Sequence, residues 1–164
     1  MSKKPYYIYL SGPDVFTPNA IEHGRKLSDI VRTYGHCPLF PLDNEIVCKE
    51  DNLSREIFES NLAMIRKADL VVANLNEFRG HEPDSGTVWE IGYAAALNKI
   101  IIGYCDDHSP MAQRIMGEDN CFHDRDGWAI ENFGLPLNLM LVHGCHSLVC
   151  GDLVSAMEFI KENL

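Results

Sequence analysis

Apolar residues along the chain follow two alternating patterns. The first is a short, nearly continuous apolar run, which is typical of a strand buried on both faces of a parallel sheet. The second is a longer segment with apolar residues at three- and four-residue steps, which is typical of an amphipathic helix. Strands are predicted at 6–12, 36–44, 70–75, 100–105 and 145–150, and helices at 20–35, 54–69, 87–99, 135–144 and 152–164. Charged and small residues between 106 and 134 predict loops and short turns.

This alternation of strands and helices predicts an α/β fold with a parallel sheet and helices on both faces. We expect a flavodoxin-like three-layer sandwich with a five-stranded parallel sheet in the order 2-1-3-4-5. The sequence has no internal repeat and no low-complexity linker, so residues 1–164 are predicted to form a single domain. Ligands of such sheets bind beyond the carboxyl ends of the strands, and the loops there should carry the chemistry.

Charge and cysteine usage narrow the range of partners. The net charge of −10, from 24 acidic and 14 basic residues, repels phosphate backbones and anionic lipids. Nucleic acid and membrane surfaces are therefore not expected as partners, and the N-terminal segment lacks the pattern of an export signal. The cysteines form no C-x-x-C pair, and HGCHSLVC (143–150) matches no common zinc spacing. We expect free thiols, a cytoplasmic protein and no metal site.

The segment GHEPDSGTVWEIGYAAALNK (80–99) raises the question of what Glu90 does. Thr87-x-x-Glu90 fits a capping box, in which the threonine caps a helix and the glutamate reaches back to the cap amide. Spacing alone favours this structural role. It does not explain Asp84, nor the small residues Ser85 and Gly86, which would leave an open cleft beside the helix start.

Asp84 and Glu90 also suit a chemical role. Backbone amides and the helix dipole at the start of the helix would keep Glu90 ionised. An ionised, poorly solvated carboxylate can attack a sugar carbon and stabilise an oxocarbenium-like transition state. A second carboxyl group can protonate the leaving group, and Asp84 is the candidate because it lies in the same loop.

The loop SGPDVFTP (11–18) follows the first predicted strand and begins with Ser11 and Gly12. It has neither of the common glycine-rich nucleotide-binding patterns, and no Lys or Arg occurs between positions 12 and 24. Asp14 would repel a phosphate group. The loop is therefore either an ordinary turn or a contact for a neutral ligand such as a sugar or a nucleoside.

Two further polar residues have both a structural and a functional interpretation. Tyr9, at the end of the first strand, could orient Glu90 through its hydroxyl or could be a core tyrosine. Asn61 lies in the middle of a predicted helix, although asparagine is a mediocre helix former. Its side chain either points to the carboxyl end of the sheet or is exposed on the surface.

The loop after the second strand, PLDNE (41–45), carries Asp43, Asn44 and Glu45. These side chains could read the edge of a base through hydrogen bonds, and an ordinary turn is the structural alternative. Phe16 and Trp89 could help to line the same pocket, although packing in the core is the more common fate of a tryptophan such as Trp89.

Several segments together resemble the nucleoside 2-deoxyribosyltransferases, namely YLSGP, PLDNE, ADLVVANLNEFRGHEPDSGTVWEIGYAAALNK and GLPLNLML. Their order and spacing match from about residue 6 to the C-terminal helix, and FRGHEPDSGT is especially similar to the branch that includes the trypanosomatid enzymes. The resemblance implies a flavodoxin-like enzyme that exchanges the base of a 2′-deoxynucleoside without a cofactor. It also implies a homo-oligomer in which a neighbouring subunit completes each site.

The resemblance assigns roles to individual residues. Glu90 occupies the position of the nucleophile that forms a covalent deoxyribosyl-enzyme, and Asp84 that of the aspartate that protonates the base. Tyr9 matches the tyrosine that positions the nucleophile. Asn138 matches an asparagine that the adjacent subunit lends to the sugar 5′-hydroxyl, and Met140 matches a neighbouring pocket residue.

The chain departs from the family at three places. Some members have an aspartate where this chain has Asn61, and some have a glutamine where it has Glu45. Both differences concern handling of the base. The tyrosine-bearing C-terminal tail of the family is not evident in FIKENL (159–164).

The predicted function is therefore a ping-pong transfer of 2-deoxyribose between bases, in the service of nucleoside salvage. One alternative is a 2′-deoxynucleoside 5′-monophosphate N-glycosidase, which would need a phosphate site in the first loop. Another is a non-catalytic nucleotide-sensing module, in which the pairing of Thr87 with Glu90 is purely structural.

Overall fold

The computed structural model describes residues 4–43, 52–116 and 122–164. These residues form a five-stranded parallel sheet in the order β2-β1-β3-β4-β5, which confirms the predicted fold class and strand order. The strands are β1 (Tyr7–Ser11), β2 (Cys37–Leu39), β3 (Leu70–Asn74), β4 (Ile100–Cys105) and β5 (Ser147–Cys150).

Helices cover both faces of this sheet. They are α1 (Ala20–Thr33), α2 (Leu53–Lys67), α3 (Ser85–Ala96), α4 (Met111–Ile115), α5 (Leu139–Gly144) and α6 (Leu153–Asn163). A short 3-10 turn, Pro13–Phe16, follows β1. No helix in the described parts of the chain is long and apolar enough to cross a membrane.

Alternate residues of β1 point to opposite faces and join two separate cores. Ile8 and Leu10 pack in the core that includes Val31 of α1 and Ile160 of α6. Tyr9 packs in the other core, with residues of α2, α3 and α5. Because side chains alternate along a strand, Ser11 lies on the same face as Tyr9. Both side chains therefore reach the layer that contains α2 and α3.

Several elements differ in their bounds from the sequence prediction, and prolines account for two of these differences. The second strand is limited to Cys37–Leu39, because Pro41 begins a turn in which Asp43 accepts a hydrogen bond from the Phe40 amide at 3.2 Å. The predicted helix over 135–144 begins only at Leu139, after Pro136 and the N-cap. The short helix α4 lies within the stretch predicted as loops.

Candidate active site

A cavity of about 550 Å³ opens at the carboxyl ends of β1 and β2, beside the N-terminal half of α3. Its apolar wall comes mainly from the loops after β1 and β2 and from α2, and Asn61, Asp84, Thr87 and Glu90 supply side-chain polar groups. The remaining lining residues are Gly12, Val15, Phe16, Ile21, Pro41, Leu42, Leu53, Ile57 and Gly86. An apolar cavity with a few converging polar groups is typical of a small-molecule site.

The carboxylate of Glu90 accepts hydrogen bonds from three side chains. The Tyr9 hydroxyl donates to Oε1 at 2.8 Å, and the Asn61 Nδ2 donates to the same oxygen at 3.4 Å. The Ser11 hydroxyl donates to Oε2 at 2.5 Å. Both oxygens of Glu90 are thus held by donors from β1 and α2, and the carboxylate has a fixed orientation in the cavity.

Burial raises the pKa of Glu90 above the usual range of a glutamate, because desolvation disfavours the charged form. The hydrogen bonds from Ser11, Tyr9 and Asn61 oppose this effect, and the nearby charge of Asp84 adds to it. Burial, with the charge of Glu90, also raises the pKa of Tyr9, so its hydroxyl stays protonated and remains a donor.

The predicted capping box is wrong. Helix α3 begins at Ser85, and its N-cap is Asp84, whose Oδ2 accepts from the Thr87 amide at 2.9 Å and from the Thr87 hydroxyl at 3.1 Å. Glu90 therefore lies in the second turn, and its partners are side chains rather than cap amides. The expectation that helix-end amides hold Glu90 ionised is corrected accordingly.

Gly86 leaves room beside the capping carboxylate, because a Cβ there would lie 3.0 Å from Asp84 Oδ2. Gly86 and Asp84 both line the cavity that contains Glu90. Among the described residues, no group donates a hydrogen bond to Asp84 Oδ1. This oxygen is therefore available to a ligand while Oδ2 caps the helix.

Asp14 anchors the loop after β1, whereas the sequence indicated only that its charge would repel a phosphate group. Asp14 accepts hydrogen bonds from His23 Nε2 at 2.7 Å and from Asn74 Nδ2 at 3.0 Å. These bonds join the loop to α1 and to the end of β3. Gly12 fits this arrangement because a Cβ there would lie 2.6 Å from Asp14 Oδ2. Phe16, the last residue of the 3-10 turn, then lies at the cavity wall.

Two aromatic groups flank the cavity. Phe16 is 54% exposed and stacks on Phe78 with ring centroids 5.4 Å apart, while the Arg79 guanidinium lies 5.3 Å from the Phe16 ring. Trp89 is not a core residue, in contrast to the expectation, because it stacks on Tyr93 at the surface. It lines a smaller cavity of about 310 Å³ that reaches Glu90 from the α2 side.

The cavity that contains Glu90 is not lined by Asp43, Asn138 or Met140. Asp43 points back into its own turn, and Glu45 lies outside the described residues, as does Asn44. Asn138 is the N-cap of α5, where its Oδ1 accepts from the Met140 amide at 2.9 Å. Met140 is 73% exposed.

Glu131 was missed by sequence reasoning, and it fixes the Asn138 side chain. Its Oε1 accepts from Asn138 Nδ2 at 2.9 Å, and its Oε2 accepts from the Leu139 amide at 3.0 Å. Asn138 therefore presents its amide in one orientation, at the surface formed by the start of α5. No sequence spacing typical of a known motif links positions 131 and 138.

The structure places Ser11 in direct contact with Glu90, whereas the sequence suggested only a ligand contact. The period-2 spacing of Tyr9 and Ser11 on one strand was the signal that could have linked them. Asn61 Oδ1 is buried and has no hydrogen-bond partner among the described residues. Within the described ranges, no cluster of three or more metal-ligating side chains occurs.

The site can therefore support substitution at a carbon atom. Glu90 supplies a desolvated carboxylate that is oriented by three donors, and Asp84 supplies a second carboxyl group in the same cavity. A carboxylate in such surroundings can form a covalent ester and favour positive charge on the carbon that it approaches.

Comparison with known proteins agrees with this chemistry. Residues 8–140 match the family model of the nucleoside 2-deoxyribosyltransferases. A 2-deoxyribosyltransferase from Leishmania mexicana has 36% sequence identity and a TM-score of 0.78, and the match covers 98% of this chain and 100% of that one.

Two more distant relatives extend the comparison. An uncharacterized protein from Schizosaccharomyces pombe is 26% identical over an aligned length of 155 residues. This match covers 81% of this chain and 74% of that protein. A CMP N-glycosidase from Clostridium botulinum shares the fold at 14% identity and a TM-score of 0.51, covering 95% of this chain and 98% of that one. With the family model matched over most of its length, the chain belongs to the nucleoside 2-deoxyribosyltransferase family of enzymes.

Proposed function

We propose that this enzyme exchanges the base of 2′-deoxynucleosides through a covalent 2-deoxyribosyl intermediate on Glu90. The observation that carries the proposal is the carboxylate of Glu90, oriented by Tyr9, Ser11 and Asn61 at the wall of a cavity that also contains Asp84. The reaction needs no cofactor or metal, because both half-reactions use carboxyl groups of the chain.

In the first half-reaction the base leaves and the enzyme takes the sugar. Asp84 gives a proton to the departing base, while a Glu90 oxygen attacks C1′ from the opposite face. The C1′–N bond breaks, the C1′–O bond to Glu90 forms, and the base departs as a neutral molecule. Asp84 is then ionised and Glu90 is an ester.

In the second half-reaction a new base takes the sugar from Glu90. Asp84 accepts a proton from the incoming base, whose nitrogen attacks C1′ and displaces Glu90 as a carboxylate. Two inversions restore the original configuration at C1′. Water that enters instead of the second base gives hydrolysis, so the apolar wall of the cavity favours transfer.

The orphan acceptor of Asn61 supports recognition of the base or sugar in this site. Asn61 Oδ1 is buried and has no partner among the residues that the structure describes, while Nδ2 donates to Glu90. This oxygen is closed to solvent, so a donor on the substrate would satisfy it if the Asn61 side chain turned toward the cavity on binding, which would give the bound state a hydrogen bond that the free enzyme lacks. We also propose that base exchange by this enzyme serves nucleoside salvage in the cytoplasm.

Formation of a new deoxynucleoside tests the proposal. The enzyme is incubated with deoxyinosine or thymidine and a second base, and the products are separated by chromatography. A new deoxynucleoside is the expected product. Free base and deoxyribose alone would show that the enzyme is a hydrolase, and unchanged substrate would favour a non-catalytic module.

The alternative N-glycosidase activity on deoxynucleoside 5′-monophosphates makes a different demand. None of the described residues that line the cavity is Lys or Arg, and the two charged side chains in the wall are carboxylates. The guanidinium of Arg79 lies over the Phe16 ring, and this positive charge favours binding of a phosphate group near the rim of the cavity. Parallel incubation with deoxyinosine and its 5′-monophosphate separates the two functions, and we expect turnover of the nucleoside.

We also place Asn138 and Met140 in the active site of a neighbouring subunit of a homo-oligomer. Two observations support this placement: neither residue lines the cavity of its own chain, and Met140 is largely exposed. Glu131 and the N-terminus of α5 fix the orientation of the Asn138 amide. A side chain that binds a ligand in the active site of another subunit must be held in one orientation in this way.

Mixed oligomers test the sharing of sites. We expect Asn138→Ser, which keeps an N-cap oxygen, to lower exchange by about 10-fold through a lost hydrogen bond. Glu90→Gln is expected to be inactive. Co-expression of the two variants should restore sites that combine Glu90 of one subunit with Asn138 of the other. If exchange per intact Glu90 is no higher in the mixed oligomers than in Asn138→Ser alone, Asn138 acts in the active site of its own subunit.

The pH dependence of exchange should move when the Tyr9 hydroxyl is removed. Glu90 must be ionised to attack, so kcat/KM falls as pH decreases through the pKa of Glu90, which burial raises. The hydrogen bond from Tyr9 lowers this pKa, so Tyr9→Phe should shift the acidic limb to higher pH and lower the plateau by about 10-fold. An unshifted limb in pH–rate profiles would show that Tyr9 does not act through Glu90.

A further inference from the structure

The hydrogen bond between Ser11 and Glu90 differs from the other two bonds to this carboxylate. Ser11 is 2% exposed at the carboxyl end of β1, and it donates to Oε2 at 2.5 Å. Tyr9 and Asn61 both donate to Oε1. In the described part of the chain, Ser11 is therefore the sole side chain that donates to Oε2.

The stereochemistry of the proposed reaction gives the two oxygens different surroundings. The base of a β-nucleoside is on one face of the sugar, so Glu90 attacks from the other, the α face. A ribonucleoside carries its 2′-hydroxyl on this same α face, next to the carbon under attack. When one oxygen of the carboxylate approaches C1′, the other lies close to the substituent at C2′.

Enzymes that act on sugars with a 2-hydroxyl use that group in catalysis, because its hydrogen bonds strengthen in the transition state. A 2′-deoxy sugar has only hydrogen at this position and cannot donate. The protein must supply the missing donor to the carboxylate if the negative charge is to be satisfied on both oxygens.

We propose that Ser11 takes the place of the sugar 2-hydroxyl on Glu90 Oε2 and thereby selects 2′-deoxynucleosides over ribonucleosides. This inference rests on the proposed function. With a deoxynucleoside bound, Ser11 provides the donor that the substrate lacks. With a ribonucleoside bound, the 2′-hydroxyl must share Oε2 with Ser11, and the weaker shared hydrogen bond does not offset the desolvation of that hydroxyl, which disfavours binding and attack.

The position of Ser11 in the sheet keeps this donor in place. Ser11 is the last residue of β1 and is paired in register with Ala73 of β3, so its backbone belongs to the sheet rather than to the loop that follows. Its side chain shares the face of β1 that carries Tyr9. In the free enzyme the hydrogen bond to Glu90 Oε2 holds the hydroxyl toward the carboxylate.

Comparison of two sugar donors tests the assignment. The kcat/KM for deoxyinosine and for inosine is measured with adenine as the common acceptor, in the wild-type enzyme and in Ser11→Ala. We expect Ser11→Ala to lower the deoxyinosine value by about 10-fold and to lower the deoxy-to-ribo ratio by at least about 10-fold. A ratio equal to that of the wild type would overturn the proposal.

Tyr9→Phe is the matched control, because it also removes one hydroxyl donor from Glu90, but from Oε1. It should lower both activities in parallel and leave the ratio unchanged. A change of ratio as large as in Ser11→Ala would mean that the loss of any donor relaxes selectivity, and this would also contradict the assignment.

Ser11→Cys keeps the test decisive if Ser11→Ala does not fold. The thiol is similar in size and is a weak donor, so the deoxy-to-ribo ratio should fall between the wild-type value and unity, whereas an unchanged ratio would refute the role of the hydroxyl. Circular dichroism and thermal melting check the fold of each variant. A wild-type enzyme that exchanges no deoxynucleoside would instead refute the proposed function, which is a distinct outcome.

Discussion

Replacement of Glu90 by glutamine should lower base exchange by about 10⁴-fold, because an amide cannot act as the nucleophile. The same change should stabilise the fold at neutral pH. Glutamine keeps the shape of the side chain and retains an acceptor for the Tyr9 hydroxyl, but it removes a charge that is partly desolvated. We therefore expect a variant that is inactive and melts at a higher temperature.

The sign of the stability effect follows from proton linkage. The pKa of Glu90 is higher in the folded protein than in the unfolded chain, since burial disfavours the carboxylate. Its favourable contribution to stability is complete below the unfolded pKa and is lost as pH rises through the folded pKa. At pH 7 the Gln variant should be more stable by about 1 kcal/mol, or about 3 °C in melting temperature. The difference should vanish near pH 4.

Calorimetry at both pH values and chromatographic assays of exchange check these outcomes. Glu162→Gln is the control, because Glu162 is exposed near the end of α6 and remote in sequence from the site. It should leave exchange unchanged. Wild-type exchange in Glu90→Gln would eliminate the nucleophile assignment, and Glu90→Ala with intact exchange would do the same.

Replacement of Asp84 by asparagine should reduce exchange by about 10²- to 10³-fold, the usual contribution of general acid–base catalysis. The loss should depend on the leaving group. A base that leaves as a stable anion, such as a halogenated uracil, needs little protonation and should retain most of its rate. Initial rates with thymidine and 5-fluorodeoxyuridine measure this contrast, and an equal loss with both would refute proton donation by Asp84.

The helix cap provides a matched control for this variant. Asp84 caps α3, and Asp152 caps α6 in the same manner, with its Oδ1 accepting from the Ser155 amide at 3.0 Å. Asparagine is as good an N-cap as aspartate, so both substitutions should change the melting temperature little. Asp152→Asn should keep full exchange. A large loss of stability in Asp84→Asn alone would assign the lost activity to the fold.

The strands of this protein could be predicted from sequence because strands that are buried on both faces consist of continuous apolar runs. The runs 70–75 and 100–105 became β3 and β4 almost residue for residue. The start of α3 could not be fixed in the same way, because Asp84 and Thr87 are both good N-caps three residues apart. Local spacing fits either cap, and the loop before the helix decides between them.

The candidate site shows the same limit more clearly. The position of Glu90 in a loop-to-helix segment suggested its importance, but spacing assigned it to the wrong hydrogen bonds. Of its actual partners, Tyr9 was expected from the sequence to orient Glu90, and its hydroxyl does donate to this carboxylate. Ser11 and Asn61 lie on β1 and α2, and they meet Glu90 only when these elements pack against α3. Asp14 and Glu131 illustrate the same limit. Asp14 bonds to the distant Asn74, and Glu131 fixes the side chain of Asn138, so both act through contacts that exist only in the folded protein.

The hydrogen bonds that hold Glu90 join positions 81, 79 and 29 residues apart along the chain. Contacts of such separation slow folding, because the entropy of closing long loops must be overcome before they form. Helices can form without them, whereas the oriented carboxylate requires β1, α2 and α3 together. Recovery of catalytic turnover during refolding is therefore expected no earlier than recovery of the helical signal. The orientation of the Glu90 carboxylate therefore reports complete tertiary structure rather than helix content.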